Sequence, residues 1–167
     1  FNNFLPNARF QYNFTRYRNL IMNYQTMTNQ PTVSQLQPVP DISNPLNIRN
    51  GNPNLHQEFT QMMRLQYSSV NPFKNRNLFV FLNAQATNNK IVNFDVINQY
   101  GIKVSTPVNV SGVYNVNGDV NIGLPVRFVK GSINLSTNLG YNRNKNFFNS
   151  VENTTNTITV GPDARLD

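Results

Sequence analysis

Between Ile102 and Leu124 apolar and polar residues alternate almost without a break. The even positions read Ile102, Val104, Thr106, Val108, Val110, Gly112, Tyr114, Val116, Gly118, Val120, Ile122 and Leu124. Apart from Val113, the odd positions between them are Lys, Ser, Pro, Asn, Asp or Gly. Successive side chains of a strand point to opposite faces, so this pattern describes a ribbon with one apolar and one polar side. Strands of soluble sheets usually run about 5–6 residues. The segment therefore predicts a single strand long enough to cross a bilayer and continue beyond it.

The same alternation recurs along the chain. Phe4, Pro6, Ala8, Phe10, Tyr12 and Phe14 share one parity, and Leu20, Met22 and Tyr24 resume it after a basic turn. Further apolar sets are Phe59, Met63, Leu65 and Tyr67, then Leu78, Val80, Leu82, Ala84 and Ala86. After the long run come Ile133, Leu135, Thr137, Leu139 and Tyr141, and finally Ile158, Val160, Pro162, Ala164 and Leu166. A tilted membrane strand needs roughly 9–11 residues, and most sets cover that span. The expected fold is all-β: a segment of an antiparallel transmembrane β-barrel, about seven up-and-down strands of a larger barrel. Lipid leaves no partner for an open strand edge, and single-chain bacterial barrels have even strand counts. The 167 residues thus read as one partial barrel domain, an internal excerpt whose remaining strands lie elsewhere. Phe1 is preceded by no charged and apolar leader, and the last residue falls inside an alternating run, which agrees.

The connections alternate in length. Short turns are expected near 15–18, 71–76 and 125–130; a long segment, 26–54, and two modest ones, 97–101 and 147–153, lie between them. Short turns on one side and longer loops on the other are the topology of outer-membrane barrels, the short side being periplasmic. Tyr12, Phe14, Tyr67, Phe73 and Phe128 fall near the short turns and fit one interfacial aromatic girdle.

Composition narrows the chemistry. Cysteine and tryptophan are absent, histidine occurs once, and charged residues make up only 13%. Thiolate chemistry and disulfides are excluded, and the abundance of asparagine suits a wet interior lined by neutral amides. No stretch approaches the roughly 18 apolar residues of a membrane helix. The net charge of +7 does not come from a basic run. Arg16, Arg18, Lys74, Arg76, Arg127 and Lys130 sit in the three short turns as solvated charges, so no nucleic-acid partner is expected.

Nothing resembles a catalytic constellation. His56 lacks a nucleophile and an orienting partner, and with Glu58 it would supply only two metal ligands at a strand edge. No enzyme activity, cofactor or metal is expected. Asp95, Asp119 and Asp163 share the polar parity with Arg9, Arg64, Lys103 and Arg165, and are expected to pair on a lumen wall. Lys90, Arg143 and Lys145 have the apolar parity but lie beyond the apolar band on the long-loop side. An outward cation costs about 2–4 kcal/mol at mid-bilayer and almost nothing at the interface. There these three would meet lipopolysaccharide phosphates. A short helical turn is expected near 31–39, and Gln35, Asn44 and Asn52 are the loop residues chosen as candidate ligand contacts.

The loop also carries the most specific sequence. It contains Gln35-Leu36, Ser43-Asn44-Pro45-Leu46 and Gly51-Asn52-Pro53-Asn54-Leu55, followed by Glu58 at the start of the next strand. This resembles the extracellular segment of Bacteroidetes-type TonB-dependent receptor-like outer-membrane barrels, and the resemblance extends over essentially the whole chain. Where that family often has Lys-Pro-Glu, this chain has His56-Gln57-Glu58. The resemblance implies a barrel of about 22 strands in a Gram-negative outer membrane, with a plug domain upstream. It further implies nutrient uptake, contact with the TonB energising complex and a surface lipoprotein partner. The alternative is a non-energised outer-membrane barrel with a structural or surface-binding role.

Overall fold

The computed structural model describes residues 4–126, 128 and 131–166. Seven long strands form an antiparallel wall: β1 (Asn7–Thr15), β2 (Arg18–Asn29), β4 (Glu58–Asn71), β5 (Arg76–Asn88), β8 (Val113–Val126), β9 (Gly131–Phe148) and β10 (Val151–Leu166). Three shorter strands, β3 (Asn47–Arg49), β6 (Lys90–Ile97) and β7 (Lys103–Val110), and one turn of helix, α1 (Val33–Leu36), belong to the long connections.

The wall is ruled into rows. One row runs Ala8, Tyr24, Met63, Ala84, Val116, Tyr141, Ile158; the row beside it runs Phe10, Met22, Leu65, Leu82, Gly118, Leu139, Val160. Between them on the opposite face lie Arg9, Asn23, Arg64, Asn83, Asn117, Gly140 and Thr159. The period-2 pattern therefore stays in register across all seven strands. That is why a one-residue slip anywhere would expose amides among the apolar rows. The described residues bury only two apolar side chains, Val110 and Val113, and Phe10, Tyr12 and Phe14 are half exposed or more. A layered soluble domain would cover its apolar face with a second layer; this wall has none.

Two expectations need correction. The segment 102–124 is not one strand: it breaks at Ser111-Gly112 into β7 and β8. Gly112 takes φ +82°, and across the hairpin Asn89 takes φ +53°. The pairing register nevertheless continues through the break, with Thr87 opposite Val113 and Lys90 opposite Val110. The alternation in sequence survives for that reason, and only the backbone direction changes. Residues 97–101 are accordingly the tip of the β6–β7 hairpin, not a connection between wall strands. The whole of 89–112 joins β5 to β8.

The strand count and pairing also differ from a pure up-and-down set of seven. Ten strands are described, and two of the pairings are parallel. Beyond the point where β8 stops, β9 continues and β6 pairs with it in parallel at Phe94–Phe147 and Asp95–Phe148. β3 adds in parallel to β7. The sheet is open, with β1 and β10 at the edges of the wall.

Turn chemistry explains the other connections. Asn71 caps the Pro72–Lys74 3-10 turn, and Asn75 closes it at φ +46°. The modest loop expected at 147–153 is instead a tight turn: Asn149 and Ser150, both at positive φ, join β9 to β10 in two residues. Of the third short turn only Phe128 is described, so Arg127 and Lys130 lie outside the described residues.

Candidate functional site

The long connection 30–57 does not wave free; it is bonded down onto the β6–β7 hairpin. Thr32 and Gln35 form a reciprocal capping box around α1. The backbone of Asn50 donates to Ser105, and Lys103 N–H donates to the Leu46 carbonyl. The Asn52 side-chain amide reaches the Pro107 carbonyl at 3.0 Å. Asn109 receives the His56 N–H at 2.8 Å and returns a bond to the His56 carbonyl at 2.9 Å. Glu58 pins the hairpin's start, accepting from the Ile91 N–H at 2.8 Å and from the Asn29 amide at 3.1 Å. Both carboxylate oxygens are thus engaged in holding backbone and strand, a structural use for the glutamate singled out in the loop motif.

This packing leaves a polar cleft of about 590 Å³ between the loop and the hairpin, lined among others by Gln35, Gln37, Arg49, Asn50, Asn93 and Lys103. A neighbouring cleft of about 330 Å³ is lined by Pro31, Leu36, Leu55 and His56. Together they offer amide donors and acceptors, two cations and a short apolar shelf.

The charges of the cleft are internally braced. Lys103 Nζ lies 2.8 Å from Asp95, which also accepts from the Ser105 hydroxyl at 2.6 Å. Burial works to raise the Asp95 pKa, but the ammonium and the hydroxyl outweigh it and hold the carboxyl below its ordinary value. Asp41 is held low mainly by the Ser43 hydroxyl and N–H, with help from Arg49. A lowered carboxyl pKa adds stability above the unfolded value, and that stability is lost as pH falls through the lower folded value. The β6–β7 hairpin is therefore expected to hold from about pH 7 to about pH 5 and to loosen below about pH 4. Amide exchange along residues 95–105 would show it, and Asp95→Asn should remove the dependence.

Of the candidate ligand residues, Gln35 lines the cleft, while Asn44 and Asn52 are occupied in turns. The Asn44 carbonyl oxygen of the side chain accepts from Leu46 N–H, and that of Asn52 from Asn54 N–H, each at 3.0 Å. Arg49, Gln37, Asn50 and Asn93 were not anticipated. Arg49 sits in a three-residue strand, too short for periodicity to reveal. Lys103 and Asp95 do pair, as expected from their parity, but on the hairpin beyond the wall. On the wall itself Asp119 accepts from the Asn138 amide at 2.8 Å, and Arg9 bonds Gln11 at 3.4 Å. Phe79 and Phe81 interrupt the amide face beside Asp119 and Asn121.

Lys90, Arg143 and Lys145 do not form one group. Lys90 opens β6 and lines a small cleft with Gln85, Asn115, Asn142 and Asn144 of the amide face, and with Tyr114. Arg143 and Lys145 share the apolar parity of β9; Lys145 lies 2.6 Å from Glu152 and also borders a small cleft with Asn142, Asn144 and Thr155.

Over residues 1–164 the sequence matches the outer membrane protein beta-barrel family. The chain belongs to that family. No curated protein and no solved structure matches it. Its place is thus the outer membrane, and the two faces of this barrel wall acquire their solvents: lipid for the apolar rows, water for the amides. From Leu124 to Tyr114 the apolar side of β8 covers ten residue steps, about 33 Å along the strand. At a tilt of roughly 40° this spans about 25 Å, the height of the apolar band of such barrels. The sequence has no cysteine, and no cluster of three metal-ligating side chains occurs among the described residues.

Proposed function

We propose that this chain is part of the membrane-spanning wall of a TonB-dependent receptor-like importer of the Bacteroidetes type, in which the capped cleft receives a polar nutrient. The observation that carries the reading is the cap itself. A passive pore needs only a wall, whereas here loop 30–57 and the β6–β7 hairpin build a rigid, amide-lined cleft beyond its end. Polar groups fixed on a scaffold are the usual basis of selective recognition.

In the same reading the chain is a partial barrel domain. β10 pairs only with β9, leaving its other edge open along Val151–Leu166, and an open edge is not tolerated in lipid. Further strands complete the wall, a plug fills the amide-lined lumen and couples it to the TonB complex, and a surface lipoprotein sits over the cap. The test has two parts: sequencing the gene on both sides, and presenting the purified full-length protein to the periplasmic domain of TonB. A plug-sized domain upstream and retention of that domain support the importer. No plug and no retention would overturn it in favour of a non-energised barrel with a structural or surface-binding role.

A further inference from the structure

At the border of the lipid-facing rows, three side chains of β8, β9 and β10 gather around one guanidinium. The Arg143 guanidinium carbon lies 5.7 Å from the centre of the Tyr114 ring, and its terminal nitrogen is 3.5 Å from the Tyr114 hydroxyl. The Tyr141 ring lies 5.6 Å from that of Tyr114, and the Tyr141 hydroxyl bonds Asn156 at 3.1 Å. Asn156 is the register partner of Arg143 on β10, and Tyr114 is its partner on β8. Immediately below, toward the short turns, the rows are apolar: Val116, Tyr141 and Ile158, then Leu139 and Val160. Tyrosines at such a step mark a membrane interface, with ring in the apolar layer and hydroxyl in the polar one.

The two cations here differ in their company. Lys145, one row farther out, is neutralised by Glu152. Arg143 makes no ion pair among the described residues, and its Nε is shielded from solvent with no hydrogen-bond partner. A buried donor left without an acceptor is costly and rare. A solvated surface arginine would extend into water; this one is laid against the wall by a tyrosine face, with its fork held at the interface.

We propose that Arg143, framed by Tyr114, Tyr141 and Asn156, is a binding site for the phosphate of an outer-leaflet glycolipid. With Nε shielded and one terminal nitrogen bonded to the Tyr114 hydroxyl, the other terminal nitrogen is the donor turned outward, and its charge-assisted bond is one that phosphate oxygens accept well. Lys145 contributes less because its charge is already met, and Lys90 serves as the control because the cleft it lines is walled mainly by amide-face residues. The site rests on the orientation adopted above, with the long connections at the cell surface.

That orientation is tested separately. Asn44→Cys in the full-length protein should react with a membrane-impermeant maleimide in intact cells; no reaction overturns the orientation and the site with it. The site is tested by native mass spectrometry of the detergent-purified full-length protein with bisphosphorylated lipid A, dephosphorylated lipid A and phosphatidylglycerol. Bisphosphorylated lipid A should be retained best. Arg143→Gln should reduce retention about tenfold or more, Lys145→Gln less, and Lys90→Gln not at all. Unchanged retention by Arg143→Gln, or equal retention of dephosphorylated lipid A or phosphatidylglycerol, overturns the proposal. Because Arg143→Gln could act by disturbing the strand, Arg143→Lys serves as a second variant. It should keep a reduced preference for the phosphorylated form, and loss of all preference in a normally folded barrel overturns the role of phosphate.

Discussion

Val120→Arg is expected to cost the assembled barrel about 2–4 kcal/mol, and Asn121→Arg next to it close to nothing. The two residues are adjacent on β8 and point to opposite faces. Val120 pairs with Val80 on β5 and Thr137 on β9, within the apolar rows. Asn121 pairs with Phe79 and Ser136 on the amide face. An arginine at Val120 must be buried in hydrocarbon or bend its stem toward a headgroup several residues away. One at Asn121 enters a wet interior where neighbouring amides and Asp119 can accept its donors. Urea unfolding of the full-length protein refolded into phosphatidylcholine vesicles would measure both. Equal costs would mean that the two faces do not see different solvents, and would contradict the lipid-facing assignment of the apolar rows.

The second large effect is expected at Gly51. A Cβ there would run into the backbone carbonyl of Gln37, and no side-chain rotation relieves a clash with main chain. Gly51 precedes Asn52, whose N–H donates to the Gln35 carbonyl and whose side chain holds Pro107. Gly51→Ala should therefore lift the loop from the hairpin at a cost of about 1–3 kcal/mol and open the cleft between Gln37 and Lys103. Limited proteolysis of the outer-membrane-embedded protein should show new cutting within 30–57, while the wall keeps its heat-resistant migration in gels. Gly101→Ala is the control: Gly101 has a positive φ, +76°, but no atom lies within 4 Å of where its Cβ would stand. It should strain only the hairpin tip, and the loop should stay protected.

These two expectations come from different kinds of information. The faces of the wall were legible in the sequence because lipid and water sort side chains residue by residue, with a period of two that needs no distant partner to be read. The amide row Asn83, Asn117 and the apolar row Leu82, Leu139 follow from parity alone. The short turn at Asn75 was legible for a similar reason, since turn chemistry is local; the longer connection expected at 147–153 instead closes in two residues, Asn149 and Ser150. The cleft was not. Gln35, Asn44 and Asn52 lie in the loop with the most specific sequence; Gln35 lines the cleft, while the side-chain oxygens of Asn44 and Asn52 accept from nearby backbone and the Asn52 amide holds Pro107. Arg49 and Asn93, which do line the cleft, carry no local mark.

By itself, then, the sequence determined an all-β chain of long two-faced strands and its lipid-facing and water-facing residues. Only the tertiary structure decided that the alternating run breaks at Gly112, that β6 joins β9 in parallel, and that Lys90 parts company with Arg143. The physical reason is the range of the forces involved. Solvent preference acts on each side chain separately and leaves its trace in the order of residues. Two left-handed residues, Asn89 and Gly112, redirect a whole hairpin without changing that order. What the redirected hairpin then meets, from Glu58 to Phe147, depends on chain segments tens of residues away.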